Sequence, residues 1–221
     1  RVNAGGRVGR SESGTILLST DDEQQAINIS NELNTYNAER QAIEAMVLED
    51  AMDQVAHKIG VGGIAPPVII ASGVGWHPGV IGIVAGRLKE HFNRPTIVIA
   101  IDDNGDAKGS GRSIMGVDLG SAITAARQSE ILSAGGGHAM AAGLSMRSEN
   151  IDDLDRFLNQ RLTGKVDQAI TTLSLKLDGV LNLSAVKSDL VDLLDTIGPY
   201  GQGNAQPRFA FSDVLVSYVD I

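Results

Sequence analysis

The stretch Val68–Ile101, with the sequence VIIASGVGWHPGVIGIVAGRLKEHFNRPTIVIAI, decides the fold class. It opens and closes with apolar runs rich in β-branched residues, at 68–72 and 96–101, and both have the length of strands that are covered on two faces. Between them, residues 78–91 carry apolar side chains at helical spacing, with a proline in the predicted first turn. Strand, helix and strand in this order predict an α/β domain.

A long helix is predicted before this stretch. Residues 20–57 lack Gly and Pro, and they open with Thr20-Asp21-Asp22-Glu23, which indicates a capping box with Thr20 as the N-cap. The apolar residues of this segment form one stripe between charged ones. We therefore expect a solvated helix that joins two domains rather than a core helix.

Shorter elements are predicted downstream of the deciding stretch. In chain order they are a hairpin turn at 102–106, a short segment at 109–114, a helix over 119–131, a glycine-rich interruption at 135–138, a strand over 139–146 and a helix over 151–162. The polar residues Thr163-Gly164-Lys165 indicate a domain boundary. Beyond it, the predicted features are an alternation at Leu173, Leu175 and Leu177, a helix over 184–197 and a strand over 214–219.

Composition and charge exclude several classes of protein. The 221 residues include no cysteine, which excludes disulfide-rich scaffolds, zinc ribbons and cysteine nucleophiles. No apolar run approaches the ~20 residues of a membrane helix. The net charge of −9 argues against a nucleic-acid partner, but it is unevenly spread: +3 over residues 1–10, −8 over 11–60, 0 over 61–146 and −4 over 147–221. Because the chain starts at Arg1 without a methionine, we expect it to be part of a longer protein.

The motif Ser110-Gly111-Arg112-Ser113 has the composition of a phosphate site. An arginine can bind a phosphate through two parallel hydrogen bonds, the hydroxyls can donate further ones, and the glycine lets the backbone come close. The alternative is an exposed strand in which Arg112 pairs with Asp118 or Asp102. Spacing alone does not decide between the two, so both interpretations stay open at this point.

Two further motifs place glycine beside histidine. In Gly135-Gly136-Gly137-His138 the glycine amides could converge on an anion, with His138 as a donor or proton shuttle at a phosphoryl oxygen; a flexible turn with an incidental histidine is the alternative. Gly75-Trp76-His77-Pro78-Gly79 lies between a strand and a helix start, where α/β folds gather ligands. Trp76 could stack on a base or pack in the core, and Arg7 could contact phosphate or cap a helix.

Missing motifs narrow the function further. The four histidines form no metal-binding pattern with one another or with nearby carboxylates. The sequence also has no P-loop, no nucleophile elbow and no clear dinucleotide-binding glycine fingerprint. We therefore expect these residues alone to bind no catalytic metal ion.

Three motifs together closely resemble the DHHA1 domain of the RecJ family of bacterial single-stranded-DNA-specific exonucleases. They are GWHPGVIGIVA at 75–85, KGSGRSI at 108–114 and GGGHAMAAG at 135–143. Outside them, RVNAGGRVG at 1–9 resembles the end of the family's DHH catalytic domain, and PYGQGN at 199–204 resembles the start of its OB-fold domain. The acidic helix resembles the connector between the family's two catalytic-core domains.

This resemblance implies an α/β fold. Its centre would be a DHHA1-type domain with a mixed sheet flanked by helices, preceded by a long connector helix and followed by a partial, β-rich, OB-like module. The implied domains are the end of a DHH catalytic domain at 1–19, a connector helix at 20–59, a DHHA1 substrate-binding domain at 60–162 and the truncated start of an OB-fold-like domain at 163–221.

The resemblance also implies a function. The whole protein would be a 5′-to-3′ exonuclease that cleaves single-stranded DNA in repair and recombination, with Mg²⁺ or Mn²⁺ held by the DHH domain. By resemblance, the residues that hold a DNA phosphate at its 5′ end are Ser110, Gly111, Arg112 and Ser113, with Arg7 near the same pocket. Gly136, Gly137 and His138 would approach the scissile phosphate, with His138 as a catalytic residue, and Trp76 and His77 would line or support the cleft.

Two other functions remain open from the sequence. A DHH-family phosphodiesterase of small nucleotides, such as oligoribonucleotides or cyclic dinucleotides, would use the same Gly-His and Ser-Gly-Arg elements. A single-strand-binding module without chemistry would need only the phosphate contacts. The expected partners are single-stranded DNA and other repair proteins, with no membrane association and a cytoplasmic location.

Overall fold

The computed structural model describes residues 2–172, 175–215 and 217–218. The chain divides into two compact units, with the division after Thr172. The helices of the first unit are α1 (Gly5–Val8), α2 (Ser13–Ser19), α3 (Glu23–Ile59), α4 (Ile81–Phe92), α5 (Leu119–Gln128) and α6 (Ile151–Thr171), and its strands are β1 (Ile69–Val74), β2 (Thr96–Ile101), β3 (Asp106–Arg112), β4 (Ala134–His138) and β5 (Ala141–Arg147). The second unit contains β6 (Gly179–Leu181), α7 (Ser188–Asp195) and β7 (Phe209–Phe211).

The first unit is built around one mixed, five-stranded sheet. Its strand order is β1-β2-β3-β5-β4; β1 and β2 are parallel, and every other neighbouring pair is antiparallel. The parallel pair is joined through α4, as the strand, helix and strand pattern predicts. The predicted α/β fold with a mixed sheet flanked by helices is confirmed.

Alternate residues of the strands bury two separate cores on the two faces of the sheet. On β2, Ile97 and Ile99 pack into the core beneath α5 and α6, whereas Val98 and Ala100 pack into the core beneath α3 and α4. The α6 side of the first core contributes Leu154, Leu158, Leu162 and Val166, which repeat at helical spacing and are fully or almost fully buried.

The long helix α3 differs from its prediction in two respects, the residue that caps it and the burial of its C-terminal half. The residue that caps it is Asp22, whose side chain accepts a hydrogen bond from the Gln25 amide; the predicted cap, Thr20, lies two residues earlier. The C-terminal half of α3 is part of a core, not solvated, because Val47, Ala51 and Val55 pack beneath the sheet. The prediction failed because charged residues flank the stripe. One of them, Glu44, is itself buried and forms ion pairs with Arg40 and Arg87.

Three other predicted elements are corrected. The glycine-rich segment at 134–138 is a strand, because its backbone finds partners along β5. Helix α4 begins at Ile81, so Pro78 belongs to the preceding turn and not to the helix. Helix α6 runs through the predicted break at Thr163-Gly164-Lys165, because Leu162 and Val166 on either side of it are both buried against the same core.

The second unit is small. Strand β6 pairs in parallel with β7, and α7 is shorter than the predicted helix over 184–197. The strand predicted over 214–219 is absent at the positions that the structure describes, which are 214, 215, 217 and 218. Val216 and Val219 lie outside the described residues, as does Leu173 of the predicted alternation.

Candidate functional site

The polar residues of β3 form a row on one face of the sheet. Lys108, Ser110 and Arg112 alternate along the strand with Ala107, Gly109 and Gly111, which are buried on the other face. Across the neighbouring strand β5, the row stands opposite Ser145, Gly143 and Ala141 in that order. The row faces the same side as α4, whose first turn lies next to it.

This row lines a cleft of about 360 Å³. The cleft also receives Arg7 from α1, Pro78 and Gly79 from the turn before α4, and Gly82 from α4 itself. Among the described residues that line it, Arg7, Lys108 and Arg112 are cationic and none is a carboxylate. Three positive charges without a counter-charge in a concave surface favour an anionic ligand.

Arg112 is held by neutral groups. Its Nη1 donates to the Gly111 carbonyl oxygen at 2.8 Å and to Ser110 Oγ at 3.2 Å, and in the part of the chain that the structure describes it forms no ion pair. The predicted alternative, a pair with Asp118 or Asp102, is therefore wrong. Hydrogen bonds that leave the charge unneutralised keep the guanidinium available for a phosphate.

The two aspartates are engaged in local structure instead. Asp118 caps α5, since it accepts hydrogen bonds from the Ser121 amide at 3.0 Å and from Ser121 Oγ at 2.6 Å. The bond from the Ser121 hydroxyl is the main cause that lowers the pKa of the Asp118 carboxyl below its ordinary value. Asp102 accepts from the amides of Asn104 and Asp106 in the hairpin turn, both at 2.9 Å.

Gly82 contributes by having no side chain. A Cβ at this position of α4 would lie 3.0 Å from both Arg112 Nη2 and Ser110 Oγ, closer than ordinary packing allows. A larger residue at position 82 would therefore require the Arg112 and Ser110 side chains to shift. Sequence reasoning did not select Gly82, and no local signal distinguishes it from Gly86 of the same helix.

The turn before α4 brings Arg7 to the cleft. Arg7 Nη1 donates to the Gly79 carbonyl oxygen at 3.1 Å, and the Gly79 amide donates to His77 Nδ1 at 3.0 Å. A Cβ on Gly79 would lie 2.1 Å from the Arg7 carbonyl oxygen, so only glycine fits there. His77 orders this turn, and Arg7 lies beside the row, as predicted for a residue near the same pocket.

Two predicted site residues are buried and serve the fold. Trp76 is only 8% exposed; its ring packs against Gly73 and its Nε1 donates to Asp50 Oδ2 at 2.9 Å, so it is not free to stack on a base. Ser113 is 1% exposed, and its hydroxyl donates to the Val117 carbonyl oxygen at 2.7 Å rather than facing the cleft. These corrections arise because the sequence does not tell which way each side chain points.

The strand register places His138 on the same face as the row, two strands away, but His138 lines a separate cavity, together with residues of α5 and Arg161 of α6. It stands opposite Ala141 of β5, which stands opposite Arg112, so the backbones of His138 and Arg112 are about 10 Å apart. The His138 side chain is exposed. The predicted convergence of the glycine amides is wrong, because successive N–H groups of a strand point in opposite directions.

Glycines make the floor between the row and His138. Gly143 and Gly136 stand opposite each other on β5 and β4, and a Cβ at either position would meet no described atom within 4 Å. At Gly137, by contrast, there is no room for a side chain, since a Cβ there would lie 2.3 Å from the Ala141 carbonyl oxygen. The floor is flat and open, and a ligand backbone can come close to it.

The described residues do not form a metal site. Nowhere in this part of the chain do three or more His, Asp or Glu side chains lie close enough to hold an ion. In the same part, no helix has both the length and the apolar character needed to cross a membrane.

Comparisons with known proteins identify both units. The DHHA1 domain matches residues 65–164, and the RecJ OB domain matches residues 177–221. The chain is 30% identical over 220 residues to the single-stranded-DNA-specific exonuclease RecJ of Bacillus subtilis (strain 168), and 32% identical over 211 residues to that of Haemophilus influenzae. These alignments cover 99% and 95% of this chain, but the chain spans only 27% and 37% of the length of those relatives.

Solved structures agree with these sequence matches. RecJ from Thermus thermophilus in complex with Mn²⁺ superposes on 95% of this chain with a TM-score of 0.72 and 28% identity, and 30% of that chain is covered. The same protein in complex with Mg²⁺ gives a TM-score of 0.69 over 93% of this chain, with 31% of that chain covered. The chain therefore belongs to the RecJ family, with the family's DHHA1 and OB domains in sequence order.

Proposed function

We propose that this chain is the substrate-binding part of a RecJ-like 5′-to-3′ exonuclease specific for single-stranded DNA. The observation that carries the proposal is the cleft in which Arg7, Lys108 and Arg112 border a glycine floor without any lining carboxylate among the described residues. The curated relatives, which this chain matches over nearly its whole length, are named as single-stranded-DNA-specific exonucleases. Two-metal hydrolysis in repair and recombination is part of the proposal.

In this proposal, the row binds phosphates and the floor admits the sugar-phosphate backbone. Arg112 and Ser110, with Arg7 beside them, hold the terminal 5′ phosphate through charge-assisted hydrogen bonds. The glycines at 143 and 136 present no side chain that would hold the strand away from the sheet. A single strand can lie flat on such a surface, which supports specificity for single-stranded substrates.

His138 is assigned to the scissile phosphate. The backbones of His138 and Arg112 are about 10 Å apart across the sheet. This separation would allow Arg112 to hold the terminal 5′ phosphate while His138 contacts the scissile phosphate. Its exposed imidazole would donate to, or shuttle a proton at, a phosphoryl oxygen. The Mg²⁺ or Mn²⁺ ions that the solved RecJ relatives bind would be held by other residues of the whole protein.

The domain assignment belongs to the same proposal. Residues 1–19 would be the end of the catalytic domain and 20–59 the connector. The substrate-binding domain, placed at 60–162 from the sequence, would extend to the end of α6 at Thr171, and the remainder would be the start of the OB domain. Single-stranded DNA would be the main partner, with other repair proteins, and the protein would act in the cytoplasm.

The test is a pair of substitutions in the complete protein that carries this chain. Arg112→Ala should weaken binding of a 5′-phosphorylated oligonucleotide by about 1.5–3 kcal/mol, the worth of a hydrogen bond to a charged group, which is roughly tenfold to a hundredfold in the dissociation constant. His138→Ala should leave binding intact and lower turnover by about 10²–10⁴, as expected for a lost acid or base.

Exposed residues elsewhere in the chain serve as controls. Arg156→Ala and His57→Ala remove the same side-chain types far from the cleft and should change neither quantity. Full turnover of His138→Ala would exclude its catalytic role and leave a binding module. Faster cleavage of dinucleotides than of long single-stranded DNA would instead identify a small-nucleotide phosphodiesterase.

A further inference from the structure

One cation of the cleft, Lys108, is not assigned to a particular phosphate in the proposed function. Lys108 lies on the same face of β3 as Ser110 and Arg112, two and four residues before them. Alternate residues of a strand are about 6.8 Å apart, so the Cα atoms of Lys108 and Arg112 are separated by about 14 Å. The Arg112 side chain is bonded to Ser110, which stands midway between the two cations on this face, and to the Gly111 carbonyl oxygen.

The surroundings of Lys108 leave its charge unneutralised. Its side chain is exposed, and within the described residues it takes part in no ion pair. The carboxylate nearest to it along the strand, Asp106, pairs with Arg147, whose Nη1 lies 2.8 Å from Asp106 Oδ1. That ion pair lies at the Asp106 end of β3, next to Lys108.

A hydroxyl stands next to the lysine. Ser145 of β5 is directly opposite Lys108, and both line the same cleft as Arg112. Lys108 beside Ser145 is thus a second pair of a cation and a hydroxyl, like Arg112 beside Ser110. It lies two residues farther along β3 than Ser110. Between the two pairs the floor is Gly143, which offers no obstacle.

We propose that Lys108 and Ser145 form a second phosphate subsite, which binds an internal phosphodiester of the same DNA strand whose end is held by Arg112 and Ser110. The inference rests on the proposed function and extends it, because a site with two phosphate positions selects a strand over a mononucleotide. Ser110 and Lys108 are one two-residue repeat of β3 apart, about 6.8 Å, which is of the same order as the distance between successive phosphates of an extended strand. The two phosphate positions would therefore lie along β3.

The experiment measures binding of 5′-phosphorylated dT12 to the complete protein over a series of salt concentrations. Lys108→Ala should weaken binding about threefold to tenfold at low salt and reduce the slope of log Kd against log salt by about 0.7, the loss of one phosphate contact on a single strand. Lys108→Arg should retain both values. Lys165→Ala, which removes an exposed charge from α6 on the opposite side of the sheet, is the matched control and should change neither.

A double-mutant cycle tests whether the two subsites are separate. If Lys108 and Arg112 bind different phosphates, the fold-losses of Lys108→Ala and Arg112→Ala should multiply in the double variant. If the double variant binds as Arg112→Ala does, Lys108 acts on the same phosphate and the second subsite is excluded. An unchanged salt slope in Lys108→Ala would exclude it as well.

The two proposals can fail separately. If Arg112→Ala weakens binding and Lys108→Ala does not, only the second subsite is wrong. If neither weakens binding, the cleft is not the DNA site and the proposed function loses its main support. The far-ultraviolet circular dichroism of each variant, compared with that of the unsubstituted protein, reports whether the variant is folded.

Discussion

Both faces of the five-stranded sheet bury a core, but at strand β3 the two faces have opposite characters. On the face beneath α5 and α6, β3 contributes Ala107, Gly109 and Gly111 to a sealed aliphatic core. On the other face, the same strand contributes Lys108, Ser110 and Arg112 to an open cleft. The difference teaches that one strand can both stabilise the core and bind a ligand. Successive side chains point to opposite faces of the sheet, so the core residues and the binding residues stay separate.

The largest expected effect is a difference in the free energy of unfolding between substitutions on the two faces. Leu158→Ala in α6 removes a fully buried side chain from the sealed core and should lower the free energy of unfolding by about 2–5 kcal/mol. Arg112→Ala on the open face should change that free energy by only about 0.5 kcal/mol, as for other surface changes. Urea titration followed by circular dichroism measures both; equal losses would contradict the division.

A smaller effect tests how α4 fits against the open face. Gly82→Ala should displace the Arg112 guanidinium, because the new Cβ would lie 3.0 Å from its Nη2, and weaken binding of 5′-phosphorylated dT12 severalfold. Gly86→Ala in the same helix is the matched control, since a Cβ there meets no described atom within 4 Å. It should leave binding unchanged and stabilise the helix by about 0.5–1 kcal/mol. Equal binding by the two variants would show that the close approach at residue 82 is unimportant.

The smallest effect concerns pH and the cap of α5. Because the folded-state pKa of Asp118 is lowered, the charged cap contributes stability above the unfolded pKa, and this is lost as the pH falls through the folded pKa. Asp118→Asn keeps an acceptor for the Ser121 amide but does not titrate. The difference in unfolding midpoint between the two proteins should shrink as the pH is lowered from 6 to 3. A difference that does not change with pH would mean that folding does not alter the pKa of the Asp118 carboxyl.

The strands of the fold were predictable where both faces are buried. The runs at 68–72 and 96–101 are rich in β-branched residues, and they became β1 and β2 almost as predicted. Strand β4 was missed because glycine has a low strand propensity, and only pairing with β5 reveals it. The start of α4 was missed because a proline can stand in the preceding turn as well as in the first helical turn.

The candidate site was predictable in its composition but not in its geometry. The sequence points to Ser110, Arg112 and His138; the structure places Ser110 and Arg112 in one cleft, whereas His138 lies two strands away and lines a separate cavity. Lys108 could have been selected from the alternation along β3, once that segment was known to be a strand. Gly82 could not, because its importance depends on which helix residue faces Arg112, and only the tertiary packing determines that.

The contact between Arg7 and Gly79 also bears on how the protein is made. The two residues are 72 positions apart, and the cleft needs Ser145 of β5 as well. A chain synthesised from its N-terminus produces α1 and the whole of α3 long before β5 leaves the ribosome. Contacts between residues distant in sequence are also slow to form, because closing the chain between them costs entropy. The cleft is thus among the last features of the first unit to be completed, and a nascent chain with its long helix already formed does not yet have the cleft.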